Sequence, residues 1–176
     1  LHTAYRRQRQ MCIRDRPNLI ELAALVGQRL KERGLMLATA ESCTGGGVAQ
    51  AITEIAGSSE WFECGFVTYS NEAKIAMLKV PEEVLARHGA VSNETAQAMA
   101  QGAIANSRAT VALSTTGIAG PGGGVPGKPV GLVCFGWACG EQVHVDRMLF
   151  SGDRHAVREQ SVEHALQGLL CLLYTS

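Results

Sequence analysis

An alternation restricts the fold of this chain more than any other feature. Short apolar runs of strand length, at residues 35–39, 61–69 and 110–115, are preceded and separated by segments whose apolar residues recur at helical spacing. In the first of these segments, residues 18–33, Leu19, Leu22, Val26 and Leu30 fall on one face. Asn18 stands at the N-cap with Glu21 three residues on, and Gly34 ends the run. A second segment, with Val48, Ile52 and Ile55, follows the first apolar run and stops at Gly57. Short helices are expected at 71–78 and 81–88, a longer one from 93 to 107, and a last one over 153–170. Residues 130–138 and 142–150 read as a hairpin turning at Cys139-Gly140-Glu141.

Strands separated by helices pair in parallel and carry helices on both faces, whereas a hairpin imposes an antiparallel pair. The expected fold is therefore α/β: a three-layer α/β/α sandwich on a mixed, mostly parallel sheet of about five strands. A length of 176 residues suits one domain, which we place at residues 17–170. Hydrophobic residues at 46% and charged residues at 18% exclude a disordered chain. No apolar run approaches the ~20 residues of a membrane span. The 16 basic and 16 acidic residues balance, which argues against a nucleic-acid partner. Five of the arginines, however, crowd into residues 1–16 against Asp15 alone, leaving 11 basic and 15 acidic residues, net −4, in the rest. That stretch lacks the apolar centre of a secretory signal. Residues 1–16 and 171–176 read as ends detached from the domain and foreign to it. The six cysteines (Cys12, Cys43, Cys64, Cys134, Cys139 and Cys171) show no CxxC and no metal-ligand spacing, as expected of reduced thiols in a cytoplasmic protein.

Chemistry is most expected where the first strand turns into its helix, at Glu41-Ser42-Cys43-Thr44-Gly45-Gly46-Gly47. Ligands of open α/β sheets bind beyond the carboxyl ends of the strands. Three glycines allow close backbone approach, and the free amides of a helix N-terminus suit a phosphate or an oxyanion. A plain helix start capped by Ser42 or Thr44 is the alternative, although capping alone does not explain three consecutive glycines. If Ser42 is a nucleophile it needs a base. Tyr69 ends the second strand at the same sheet edge, and Lys74 follows in the first turn of the next helix, where dipole and burial both lower a lysine's proton affinity. A neutral Lys74 would take the Ser42 proton directly or through Tyr69; a core tyrosine and a solvated lysine are the competing reading. Cys43 is a rival nucleophile. Glu41 would either bind a ligand or orient the turn. The segment Gly117-Ile118-Ala119-Gly120-Pro121 opens a loop, 117–131, with seven glycines and three prolines, and offers backbone amides at the same edge. Arg154 could pair with a phosphate, while Asp153 could simply cap the last helix.

Several motifs stand in one order: Thr39-Ala-Glu-Ser-Cys-Thr-Gly-Gly46, Gly65-Phe-Val-Thr-Tyr-Ser-Asn-Glu-Ala-Lys74, His88-Gly-Ala-Val-Ser92, Gly117-Ile-Ala-Gly-Pro-Gly-Gly123, Lys128-Pro-Val-Gly131 and Ser151-Gly-Asp-Arg154. The ordered set, spanning about residues 18–170, resembles the C-terminal domain of the competence-damage-inducible protein A family. Stand-alone bacterial members of that family include nicotinamide-nucleotide amidases. The resemblance implies hydrolysis of nicotinamide mononucleotide to nicotinate mononucleotide and ammonia, in pyridine-nucleotide salvage. It also implies a serine nucleophile helped by a tyrosine and a lysine, at Ser42, Tyr69 and Lys74. Oxyanion and substrate contacts are then expected from Thr44, Gly45, Gly46, Gly117, Ala119, Gly120 and Arg154. No metal or cofactor is implied, the partner is the small nucleotide substrate, and a homo-oligomer is expected. A non-catalytic nucleotide-binding module of the same fold is the alternative.

Overall fold

The computed structural model describes residues 18–175; the arginine-rich stretch 1–16 and Cys12 lie outside the described residues. The elements run α1 (Leu19–Glu32), β1 (Leu37–Glu41), α2 (Gly47–Thr53), β2 (Phe62–Val67), α3 (Asn71–Leu78), α4 (Glu82–His88), α5 (Asn93–Ala105), β3 (Val111–Gly117), β4 (Leu132–Cys139), β5 (Gln142–Leu149) and α6 (Arg154–Thr175). Local signals account for most of the helix starts. Asn18 and Glu21 form a reciprocal capping box on α1, and Ser70 and Ser92 accept from Ala73 N and Thr95 N at the heads of α3 and α5.

The five strands lie in the order β2-β1-β3-β4-β5. β1 pairs in parallel with β2 and β3, while the β3–β4 and β4–β5 pairs are antiparallel, so β4 alone runs against the others. Alternation along the strands divides the core in two. Leu37, Val111, Leu113, Phe135 and Trp137 face α1, α2 and α6. Ala38, Ala40 and Ala112 face the helices carrying Leu78, Leu85, Met99 and Ala103. On the first face Trp137 stacks on Phe135 (centroids 5.7 Å apart) and its indole N–H donates to Ala165 O at 2.8 Å. The second face is lined by small residues because α5 lies close to it: a Cβ at Gly136 would stand 2.5 Å from Ala96 O.

Two expectations are corrected. β1 and β3 extend beyond the apolar runs to Glu41 and Gly117, because sheet pairing carries polar residues that an apolar count leaves out. The C-terminal segment is not detached: α6 runs through Thr175 and buries Leu172 and Leu173 in the core formed with α1. Burying two leucines contributes roughly 1.5–3 kcal/mol each, enough to continue a helix past a sequence without turn signals. No helix among the described residues is long and apolar enough to cross a membrane.

Candidate active site

Glu41 is the last residue of β1, and Ser42 opens the turn into α2 with its amide donating to Thr115 O on the neighbouring strand at 2.9 Å. The Glu41 carboxylate is fully buried. It accepts from the amides of Gly46 (3.1 Å), Val48 (3.0 Å) and Ala49 (2.8 Å) and from the Thr44 hydroxyl (2.6 Å), which also sits 2.7 Å from Thr115 Oγ1. The chain's own anion thus occupies the N-terminus of α2. Between orienting the turn and binding a ligand, Glu41 does the first.

This corrects part of the expected anion site. Gly45 N donates to Ser42 O and Gly47 N to Thr44 O, so the amides of Gly45 and Gly46 are both engaged inside the protein. Their glycine character serves the turn itself, with φ of 60° and 96°. Neither Ser42 nor Thr44 caps α2, whose N-cap is Gly46. The amides of Cys43 and Thr44 donate to no carbonyl or carboxylate among the described residues and have the Cys43 sulfur as their neighbour.

Lys74 reaches the same point from α3. Ser70 caps that helix, and a side chain in its first turns leans back toward the N-terminus. Lys74 Nζ lies 3.1 Å from Ser42 Oγ, 2.9 Å from Thr68 O and 3.4 Å from Tyr69 O, with only 1% of the residue exposed. Among the described residues no carboxylate forms an ion pair with it. Burial therefore holds its pKa below the ordinary lysine range, opposed by electrostatic interaction with Cys43. Two of the three neighbours are carbonyls, which only accept. Nζ donates to both and has the Ser42 hydroxyl as its third neighbour.

Among the described residues the Tyr69 hydroxyl makes no hydrogen bond to Ser42 or Lys74. The Tyr69 carbonyl faces Lys74, while the residue is 63% exposed and its hydroxyl accepts from Arg154 Nη2 at 3.1 Å. Arg154 Nη1 donates to Gly120 O at 2.8 Å, and Asp153 caps α6 by accepting from Ala156 N. These groups line one cavity of about 270 Å³ that contains Ser42, Lys74, Tyr69, Thr116, Gly117, Ala119, Gly120 and Arg154. The amides of Ala119 and Gly120 donate to no group among the described residues. Lys128 pins the far side of the loop by donating to His88 O at 2.5 Å.

Cys43 lines this cavity but is buried, and desolvation pushes its thiol up to about 12, with partial relief from nearby amides. A thiol held that high is not a ready nucleophile. The remaining cysteines Cys64, Cys134, Cys139 and Cys171 are free. No group of three or more metal-ligating side chains occurs among the described residues. Sequence reasoning passed over two contributors, Thr115 beneath the turn and Arg158, whose Nε and Nη2 donate to Cys43 O (3.2 Å) and Thr44 O (3.0 Å). Arg158 stands one helical turn beyond Arg154, a spacing that places both on one face of α6.

With a serine and a lysine meeting at the carboxyl end of β1, comparison with known proteins becomes informative. The CinA C-terminal domain family model matches residues 19–173. The chain belongs to this family. It is 57% identical over 152 residues to the nicotinamide-nucleotide amidohydrolase PncC of Escherichia coli strain K12, covering 86% of this chain and 92% of that protein. It is 52% identical over 151 residues to the PncC of Pseudomonas putida, covering 86% and 94%. Among solved structures, a CinA superfamily protein from Klebsiella pneumoniae superposes with a TM-score of 0.88 at 41% identity, covering 91% of this chain and all of that one. The competence/damage-inducible protein CihA from Agrobacterium tumefaciens gives 0.86 at 46% identity, covering 89% and 96%. The mixed five-stranded α/β/α architecture is that of the CinA domain.

Proposed function

We propose that this protein is an amidohydrolase that converts nicotinamide mononucleotide to nicotinate mononucleotide and ammonia, with Ser42 as nucleophile and Lys74 as its base. One observation carries the mechanism: a buried amine without a counter-charge, 3.1 Å from a serine hydroxyl at the carboxyl end of a central strand. The substrate class rests on the amidohydrolase relatives, similar over most of both chains.

In this reading Ser42 Oγ attacks the carboxamide carbon while Lys74 takes the hydroxyl proton. The amides of Cys43 and Thr44, which follow the nucleophile in the chain, receive the developing oxyanion. The C–N bond breaks, Lys74 returns the proton to the departing nitrogen, and ammonia leaves a nicotinoyl ester on Ser42. Water, deprotonated by Lys74, cleaves that ester and restores the serine. Arg154, held over the cavity by Tyr69 and Gly120, supplies the cation for the substrate phosphate, with the amides of Ala119 and Gly120 beside it. The outer strand leaves Val145, Met148 and Leu149 exposed, which is consistent with a homo-oligomer using that edge. The setting is pyridine-nucleotide salvage in the cytoplasm.

The test is direct: purified protein is incubated with nicotinamide mononucleotide and ammonia is followed, beside Ser42→Ala. Release by the wild type and its loss in the variant are expected. Tight nucleotide binding without ammonia would instead mark a binding module.

A further inference from the structure

The turn that carries Ser42 has two sides. One opens on the cavity with Lys74 and Arg154. The other opens on a groove of about 380 Å³ between α1, α2 and α6, lined by Thr44, Gly47, Gln50 and Arg158. From that second side Arg158 grips two successive carbonyls, Cys43 O through Nε and Thr44 O through Nη2. A trans peptide is planar and its C=O and N–H point in opposite directions. The carbonyl of Cys43 and the amide of Thr44 belong to one peptide unit. Holding that carbonyl on the Arg158 side directs the Thr44 N–H away from Arg158. A guanidinium on the carbonyl end also polarises the unit, making its N–H a stronger donor. The unit joins two non-glycine residues, and the Arg158 contact adds to the Thr44 hydroxyl bonds with Glu41 and Thr115 in holding this orientation before the reaction begins.

We propose that Arg158 is a positioning residue for this reaction: it sets, from behind the turn, the backbone amide that receives the oxyanion formed at Ser42. This inference rests on the amidase reading above. Arg158 does not touch substrate in this arrangement. Arg154 and Arg158 then divide the work of one face of α6, the first facing the ligand and the second fixing the donor.

The experiment compares wild type, Arg158→Met and Arg158→Lys in ammonia release from nicotinamide mononucleotide, with full saturation curves and thermal unfolding of each. Losing one well-aimed oxyanion donor is expected to lower kcat of Arg158→Met about 10²-fold, with KM within about twofold of wild type. Arg158→Lys, whose ammonium lacks the fork that spans two carbonyls, is expected to fall about tenfold. Free guanidinium at millimolar concentration should recover part of the methionine variant's kcat. If that variant is unfolded in the thermal scan, the lysine variant carries the test. A kcat within about threefold of wild type in the folded variants, or a loss confined to KM, overturns the proposal while leaving the amidase reading intact. A wild type that releases no ammonia overturns both.

Discussion

Two ionisable side chains are fully buried at the rim of this sheet beside the Ser42 turn, and their surroundings differ in kind. Glu41 is saturated: three backbone amides and a hydroxyl converge on its carboxylate. Lys74 meets two carbonyls and the Ser42 hydroxyl and has no counter-charge. A buried charge surrounded by donors is a structural element, because removing it strands those donors. A buried amine without a counter-charge among the described residues has its proton affinity lowered, which suits the base role proposed for it beside a hydroxyl. The first residue builds the turn, and the second is the base proposed for it.

That contrast is tested most severely at Lys74. Lys74→Met and Ser42→Ala should each reduce ammonia release from nicotinamide mononucleotide by at least about 10³-fold. Lys74→Met should leave stability unchanged or raised by about 1 kcal/mol in urea unfolding, since an uncompensated buried amine is exchanged for an apolar chain of similar shape. A marked loss of stability would mean that Lys74 is a structural cation and would end the contrast. Glu41→Gln should do the opposite, lowering stability by roughly 1.5–3 kcal/mol in the same assay, because an amide cannot accept from all the donors that meet the carboxylate.

The pH dependence separates the two further. In the proposed mechanism turnover requires neutral Lys74, so it should rise about tenfold per unit of pH up to the lysine's lowered value and level off above it. Stability follows the same sign. Between that lowered value and the ordinary ~10.4, the unfolded chain binds more protons than the folded one, so the lysine's contribution improves as pH rises through the window. Both limbs should vanish in Lys74→Met, as pH–rate and pH–unfolding curves would show. The smallest effect is expected at Tyr69. Its hydroxyl bonds Arg154 at the cavity mouth, so Tyr69→Phe should raise KM up to about tenfold and lower kcat less. A collapse of kcat instead would put the phenol back on the proton path between serine and lysine.

Much of this arrangement was legible in the chain itself. Apolar runs and helical spacing specify the order of elements, because burial of one face is a local pattern. The run Glu41–Gly47 marks a strand-to-helix turn with special backbone needs, and the resemblance singled out Ser42, Tyr69 and Lys74 together. The length of α6 was not legible, since Leu172 and Leu173 are buried only because α1 lies against them. Nor was the use of the α2 amides: nothing local distinguishes a carboxylate that binds ligand from one that folds back on its own helix.

By itself, then, the sequence determined the α/β layering, the strand–turn–helix proposed to carry the chemistry, and which residue types stand ready there. Tertiary structure alone decided which of them meet. It brought an amine from another helix to the serine and turned the tyrosine hydroxyl outward to Arg154. It also filled the expected anion hole with Glu41 and set Arg158 behind the turn. The reason is physical: periodicity records which face of an element is buried, whereas contacts between residues 32 or 115 positions apart depend on how the layers close.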